Sequence, residues 1–320
     1  MRIIPLLLVL LLLANTDASA AERLGRDVTT AGLAGSFVRP DGSGPAKAVL
    51  MIAGSGPTDR NGNSRLGVDA NYLEMLAGHL AGANIASLRY DKRGVGGSKA
   101  LVTSEATLRF SDFVGDAATW RNWLHGQPGI SCIFLLGHSE GGLIATRVAE
   151  KSEPAGLILV MSPGRTFGAV LNTQLSTVPM SKTLRNEALS TLKTLESGKQ
   201  VAKVDPKLDN IFRPSVQPYL LSILNIDPAQ ALARLTTPVL LISGGYDLQV
   251  NAADFEALRQ ARPDAQVIRI PKMNHVMKDV TGDRKANLAA YRNPDLPLSP
   301  ELAAAVTKFI TTTPCPTGNR

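Results

Sequence analysis

The sequence predicts an α/β fold in which a mostly parallel central sheet is flanked by helices and interrupted by a helical insertion. Short apolar runs alternate with helical patterns along most of the chain, and residues 165–236 break this alternation with helical segments alone. Parallel strands are covered by helices on both faces, so they are typically continuous apolar runs. The first observation therefore indicates the sheet, and the second indicates the insertion.

Six apolar runs bounded by turn residues are predicted as strands. They are Ala48–Ala53, Ile85–Tyr90, Cys132–Leu136, Leu157–Met161, Pro238–Ile242 and Val267–Ile270. Apolar residues at helical spacing predict three helices between them, over Tyr72–Gly82, Phe113–Leu124 and 141–150. Strands that alternate with helices indicate βαβ units and hence a parallel sheet.

The insertion divides the predicted domain into a core of residues 21–164 and 237–313 and a helical segment of residues 165–236. Amphipathic segments such as Leu184–Leu195 and turns punctuated by proline are typical of the segment. It is either a cap over a binding site or a surface decoration. A cap is favoured, because α/β proteins place ligand contacts in the loops at the carboxyl ends of their strands.

Residues 1–20 have the layout of a secretory signal peptide. A basic start is followed by an apolar run over Ile3–Ala14 and by the small residues Ala18 and Ala20, which predicts cleavage after Ala20. The alternative is an uncleaved anchor, but the apolar run is short for a bilayer span. We therefore expect a secreted or periplasmic protein with no stable membrane span after cleavage.

Composition excludes several classes of function. The formal net charge is +7, but the basic residues are spread along the chain, which argues against a nucleic-acid partner. Cys132, Cys315 and four scattered histidines have no metal-ligand spacing, so no metal site is expected. The two cysteines are able to pair in an oxidising compartment, and the sequence leaves this pairing open.

The segment Gly137-His-Ser-Glu-Gly-Gly142 follows a predicted strand and begins a predicted helix. In this context the pattern indicates a nucleophilic serine, Ser139, on a sharp turn between strand and helix. The flanking glycines fit that turn, because side chains there would collide with the backbone. A structural glycine-rich turn is the alternative interpretation.

A nucleophilic serine needs a base and an acid that orients it. Among the four histidines only His275 follows a late strand, since His79 and His125 fall in predicted helices and His138 adjoins Ser139. Asp247 follows a strand through the turn residues Gly244 and Gly245 and is the predicted acid. Its rival is Asp254, which falls in the next predicted helix.

An oxyanion hole requires two backbone N–H groups aimed at the developing negative charge. The residue after the nucleophile, Glu140, is expected to supply one. The loop Gly54-Ser-Gly-Pro57 follows an earlier strand and is expected to supply the other through Ser55. The alternative for this loop is a simple Gly-Pro turn.

These motifs together resemble the α/β-hydrolase superfamily, and within it a bacterial branch of carboxylesterases and acyl-thioester hydrolases. The segments 54–63, 91–98 and 137–142 carry the resemblance. It implies the α/β-hydrolase fold, a Ser-Asp-His triad at Ser139, Asp247 and His275, a helical cap and no cofactor. Where many relatives have His-Gly in the oxyanion loop, this chain has Ala53-Gly54, so the role of the loop rests on position. The loop residues Asp59, Arg60, Asp91 and Arg93 are expected to form structural ion pairs.

The expected reaction is two-step acyl transfer from a small-molecule ester or thioester to water. Carboxylic ester hydrolysis is the leading hypothesis. Acyl thioesterase and aminopeptidase activities use the same triad and stay open, although export disfavours a coenzyme A substrate. A non-catalytic binding protein of this fold is disfavoured, because all three triad residue types are present.

Overall fold

The computed structural model describes residues 25–40 and 44–317, so the predicted signal peptide lies outside the described residues. Eight strands form one sheet in the order β1-β2-β4-β3-β5-β6-β7-β8. Their bounds are β1 Arg26–Thr30, β2 Leu33–Val38, β3 Ala46–Ile52, β4 Ala86–Tyr90, β5 Ile130–His138, β6 Gly156–Val160, β7 Val239–Gly244 and β8 Gln266–Ile270.

Six neighbouring strands, β3 to β8, run parallel, whereas β1 and β2 form an antiparallel hairpin at one edge. The six predicted strands are all present, so the mostly parallel sheet is confirmed. The hairpin was not predicted. Because β3 pairs with β5 in a register that sets Ile52 opposite Gly137, the loops that follow these two strands adjoin.

Helices cover both faces of the sheet. Their bounds are α1 Tyr72–Gly82, α2 Phe110–His125, α3 Glu140–Ser152, α4 Phe167–Thr177, α5 Lys182–Glu196, α6 Asp209–Phe212, α7 Gln217–Ile223, α8 Pro228–Ala233, α9 Ala252–Ala261, α10 Arg284–Ala290 and α11 Pro300–Thr312. One apolar core lies between the sheet and α1 and α11, and a second lies between the sheet and α2, α3 and α9. Within the described part of the chain, none of these helices is long and apolar enough to cross a membrane.

Helices α4 to α8 lie between β6 and β7, and we call residues 165–236 the helical insertion. Leu192, Phe212 and Leu220 belong to a separate small core of its own. Several contacts fix the insertion to the main body: for example, Arg165 forms an ion pair of 2.8 Å with Asp254 on α9, and Tyr219 packs edge-on against Phe113.

The two cysteines, whose pairing the sequence leaves open, form a disulfide between β5 and the segment after α11. The Cα atoms of Cys132 and Cys315 are 5.6 Å apart and 183 residues apart in sequence. Lys47 on β3 donates hydrogen bonds to three carbonyl groups at the end of α11, including that of Thr313 at 2.6 Å. The C-terminal segment is therefore held against the sheet by one covalent bond and one ammonium group.

Removing the disulfide is expected to lower stability and leave catalysis unchanged. A bridge that closes so long a loop restricts the unfolded chain, so the variant Cys132→Ser/Cys315→Ser should lose roughly 2–5 kcal/mol of unfolding free energy. Thermal and urea unfolding measure this loss. Steady-state kinetics of the folded variant is the control, because Cys132 lies about 20 Å along β5 from Ser139. A fall in kcat with unchanged stability would contradict the prediction.

Candidate active site

Ser139 lies on the sharp turn between β5 and α3. Its backbone has φ 54° and ψ −126°, a conformation that non-glycine residues rarely adopt. Such strain costs about 1–3 kcal/mol and is typical of functional sites. The Ser139 amide donates to the Val160 carbonyl group of β6 at 3.0 Å, so the turn is also anchored to the neighbouring strand.

The glycines of the turn are required by close backbone approaches. A Cβ atom on Gly137 would lie 2.2 Å from the Gly141 carbonyl oxygen, and one on Gly141 would lie 2.3 Å from that of Ile52. Because these oxygens belong to the backbone, no side-chain rotation relieves the collision. The strand-to-helix turn thus excludes larger residues at both positions.

The variant Gly141→Ala is expected to be strongly destabilised. Its Cβ atom would force α3 away from the end of β3, which should lower the free energy of unfolding by about 2–3 kcal/mol. Urea denaturation is the measurement. Gly78→Ala on α1 is the matched control, since a Cβ atom there meets nothing within 4 Å. That variant should be as stable as the wild type or more stable. Equal stability of the two variants would show that a Cβ atom at residue 141 causes no destabilising collision.

His275 and Asp247 form a buried hydrogen-bonded pair. The Nδ1 atom of His275 lies 2.8 Å from Oδ2 of Asp247, and the two side chains are 5% and 2% exposed. The other carboxylate oxygen of Asp247 accepts hydrogen bonds from the amides of Gln249 and Val250 at 2.7 and 3.0 Å. With Nδ1–H directed to the carboxylate, Nε2 of His275 is left to accept a proton.

The loop that carries His275 is braced by two asparagines. Asn274 accepts hydrogen bonds from the amides of Val276 and Lys278, and its amide group donates to Asn287 at 3.1 Å. Asn287 in turn donates to the Tyr246 carbonyl group at 2.7 Å, one residue before Asp247. This chain of contacts connects the loop of the base to the loop of the acid.

His138 connects the serine turn to the histidine loop. Its Nε2 atom lies 2.8 Å from the His275 carbonyl oxygen, so Nε2 carries the proton, and Nδ1 accepts from the Tyr72 hydroxyl group at 3.1 Å. Burial lowers the pKa of His138 well below 6.5, and nearby His275 lowers it further. A neutral His138 therefore fixes the backbone of His275 beside the turn.

Gly54 lies directly against the serine turn. A Cβ atom on Gly54 would be 3.1 Å from Cβ of Ser139 and 3.3 Å from Nδ1 of His138. The next residue, Ser55, is exposed. Glu140 is the first residue of α3, and the first N–H groups of a helix have no partner within it. Ser55 and Glu140, the two residues expected to donate to an oxyanion, therefore follow the carboxyl ends of the neighbouring strands β3 and β5.

The rival acid Asp254 has another role. Its carboxylate is bound by the Arg165 guanidinium group at 3.0 and 2.8 Å, and it is buried between α9 and the helical insertion. The histidine of the pair binds Asp247 instead. Asp254 thus fixes the insertion to the main body.

Three of the four charged loop residues near the site form structural ion pairs, as expected, whereas the Asp59 carboxylate accepts hydrogen bonds from the amides of Asn61 and Asn63 at 2.9 Å instead. Arg60 binds Asp91 at 2.8 Å and Asp27 at 2.6 Å, and Arg93 binds Asp116 at 2.6 Å. Burial acts to raise the pKa of Asp91, but hydrogen bonds from Arg60 and the Gly97 amide outweigh it and lower the pKa. Arg60 thus connects the loop after β4 to the β1–β2 hairpin, and Arg93 holds the same loop against α2.

Sequence reasoning missed three side chains around the turn. Lys92, which follows β4, is buried and forms an ion pair of 3.1 Å with Glu140. Burial raises the pKa of Tyr219 on α7 well above 10, and the Glu140 carboxylate raises it further. Tyr72 binds His138 as described above. The signal for Lys92 was its place in Asp91-Lys-Arg-Gly94, directly after a strand.

The described residues contain no group of three or more His, Cys, Asp or Glu side chains placed to hold a metal ion. Two titratable pairs, His275–Asp247 and Lys92–Glu140, instead flank the turn that presents Ser139. Ser139 lies directly before the first residue of α3, and His138 holds the backbone of His275 beside the same turn.

Comparison with known proteins identifies the family of the chain. The profile of the family described as serine aminopeptidase, S33, matches residues 64–278. Esterase EstD of Thermotoga maritima is 30% identical over 270 residues, which cover 83% of this chain and 62% of the relative. The chain thus spans less than two thirds of that curated relative.

Solved structures share the fold at low sequence identity. Est1E of Butyrivibrio proteoclasticus, solved with ferulic acid bound, has a TM-score of 0.59 at 16% identity, over 90% of this chain and 99% of that one. A proline iminopeptidase of Mycobacterium smegmatis has a TM-score of 0.57 at 16% identity, over 90% and 98% of the two chains. The chain has the α/β-hydrolase fold and belongs to the serine aminopeptidase, S33, family.

Proposed function

We propose that the chain is a serine hydrolase that cleaves carboxylic esters through an acyl-enzyme intermediate. The observation that carries the proposal is the Asp247–His275 pair, with 2.8 Å between carboxylate and imidazole, held through His138 beside the strained Ser139 turn. Similarity to a relative described as an esterase supports the ester as substrate.

In the proposed first step, Nε2 of His275 takes the proton of the Ser139 hydroxyl group as its oxygen attacks the ester carbonyl carbon. The N–H groups of Ser55 and Glu140 donate to the resulting oxyanion. His275 then protonates the departing alcohol. Water, deprotonated by the same nitrogen, attacks the acyl-enzyme; the bond from the acyl carbon to the Ser139 oxygen then breaks, the carboxylic acid leaves, and His275 returns the proton to the Ser139 oxygen. Asp247 stabilises the imidazolium in both steps.

Aminopeptidase activity is the second candidate, because the family description favours it. Such an enzyme binds the α-ammonium group of a peptide, for which a carboxylate is the natural partner. The two buried carboxylates beside the turn, Asp247 and Glu140, are already paired with His275 and Lys92. This pairing supports the ester over the peptide as the substrate.

A panel of substrates tests the proposal. The purified protein is assayed with p-nitrophenyl esters of increasing acyl length, an acyl-CoA and an aminoacyl p-nitroanilide. We expect turnover of short p-nitrophenyl esters, with a burst of one p-nitrophenol per active site if deacylation is slow. Hydrolysis of the anilide with inert esters would favour the aminopeptidase, and a folded protein that turns over none of them would overturn the proposal.

We further propose that the protein is exported and that its leader is removed after Ala20. The signal-peptide layout of residues 1–20 supports export, as does the disulfide, because such bonds persist in oxidising compartments. N-terminal sequencing of the protein from its native host tests the proposal. A mature chain that begins at Ala21 is expected, and an intact leader on a cytosolic protein would contradict export.

A further inference from the structure

Lys92 is a buried ammonium group in the wall of the site. Its side chain is 4% exposed, and Nζ donates to the Gly54 carbonyl oxygen at 3.0 Å and to Oε1 of Glu140 at 3.1 Å. The same nitrogen lies 4.5 Å from the centre of the Phe113 ring. Burying a charge is costly unless it is paired and hydrogen-bonded, so these three contacts are what keep Lys92 in place.

The contact with Gly54 reaches one expected oxyanion donor. The Gly54 carbonyl group and the Ser55 N–H group belong to the same peptide unit, which is planar. A cation that binds the oxygen fixes the orientation of this plane. It also polarises the amide, and because hydrogen bonds in a chain strengthen one another, the Ser55 N–H group becomes a better donor.

The contact with Glu140 reaches the other donor. Glu140 follows Ser139, and its carboxylate, which is 1% exposed, is held by Lys92 within one residue of the nucleophile. One ammonium group therefore touches the peptide of the first donor and the side chain of the second. One donor comes from the loop after β3 and the other from the start of α3 after β5, whereas Lys92 follows β4. Lys92 therefore connects three segments at the carboxyl ends of neighbouring strands.

We propose that Lys92 is a positioning residue of the oxyanion hole, which it assembles by holding the Gly54–Ser55 peptide and Glu140 in register with Ser139. The inference rests on the proposed function. According to this inference, Lys92 stabilises the transition state. The N–H groups that it aligns bind negative charge on the carbonyl oxygen, and this charge develops only during acyl transfer. A purely structural Lys92 would only neutralise the buried Glu140 carboxylate.

Three variants distinguish a positioning role of Lys92 from a purely structural one. Lys92→Met keeps the apolar stem and removes the ammonium group. Lys92→Met/Glu140→Gln removes both charges, so no unpaired carboxylate is left to destabilise the site. Lys47→Met is the matched control. Lys47 also donates to backbone carbonyl groups, but it lies at the start of β3, whereas the Gly54 carbonyl group that Lys92 binds follows the end of β3.

The measurements are kcat and KM for a p-nitrophenyl ester, normalised to active sites titrated with a fluorophosphonate probe, and the inhibition constant of a trifluoromethyl ketone. Such a ketone forms a reversible adduct in which the serine oxygen bonds to the carbonyl carbon, the proton moves to the base and the carbonyl oxygen becomes an oxyanion. Its affinity therefore measures the oxyanion hole directly.

Both Lys92 variants are expected to lower kcat roughly 10- to 100-fold, less than the loss of about 100- to 1000-fold from removing a direct donor. KM should change little, and the inhibition constant of the ketone should rise in parallel with the fall in kcat/KM. Lys47→Met should lower the melting temperature and leave kcat per active site unchanged.

Restored kcat in Lys92→Met/Glu140→Gln would overturn the inference, because it would show that Lys92 only neutralises Glu140. An unchanged inhibition constant for the ketone would overturn it as well. The wild-type protein, assayed in parallel, distinguishes these outcomes from a failure of the proposed function. If the wild type neither turns over the ester nor reacts with the probe, the proposed function fails and this inference fails with it.

Discussion

Replacing Ser139 with alanine is expected to lower kcat for p-nitrophenyl esters by about 10⁴-fold or more and to abolish covalent labelling by a fluorophosphonate probe. The loss follows because no other group at the turn replaces the hydroxyl oxygen that attacks the carbonyl carbon. The backbone of the turn tolerates alanine no worse than serine, so the variant should fold. Intact-protein mass spectrometry and steady-state kinetics are the measurements.

The control for Ser139→Ala is a second buried serine beside the same turn. Ser162 follows β6, is 5% exposed and donates to the Gly137 carbonyl oxygen at 3.3 Å. We expect Ser162→Ala to be labelled like the wild type. Labelling that survives in Ser139→Ala and disappears in Ser162→Ala would transfer the nucleophile to Ser162 and refute the assignment.

Asp247→Asn is expected to lower kcat about 10⁴-fold while the protein stays folded. The NH2 group of asparagine takes the place of Oδ2 and turns a hydrogen-bond donor towards Nδ1 of His275. The imidazole is then held in the wrong tautomer, and its charged form loses a partner. The amides of Gln249 and Val250 still bind the side-chain oxygen, so the loop should keep its shape.

Asp254→Asn is the matched control for Asp247→Asn. Both aspartates are buried, but Asp254 binds Arg165 rather than the imidazole. The control variant should lower stability, because it weakens the link between the helical insertion and α9, and it should keep kcat within about tenfold of the wild type. The opposite result, with Asp254 essential and Asp247 dispensable, would show that the acid has been misassigned.

The strands of the sheet that lie under helices could be predicted from the sequence, and the edge hairpin could not. Runs such as Val49–Ile52 are apolar throughout because both faces are buried. Strand β1 buries Val28 alone, and β2 contains Gly35 and Ser36, so neither gives a continuous or alternating apolar pattern. Their pairing depends on β4, a partner distant in sequence.

Some residues of the candidate site could likewise be predicted from the sequence, and others could not. Ser139, Asp247 and His275 follow strands in segments whose glycines or position point to a functional turn, so local patterns were enough to select them as candidates. The only sequence signal for Lys92 is its place directly after a strand, and this signal is weak, because lysine is almost always exposed and only the fold reveals that this one is buried. The disulfide was likewise beyond local patterns, since it requires α11 to end beside β5.

The left-handed backbone of Ser139 has an evolutionary consequence. Glycine adopts this conformation without strain, so a mutation to glycine relaxes the turn while it removes the nucleophile. Selection for stability alone would therefore drive this position away from serine, and only selection for chemistry retains it. A library of this chain sorted for thermal resistance should accumulate inactive variants at residue 139, whereas one sorted for turnover should keep serine there.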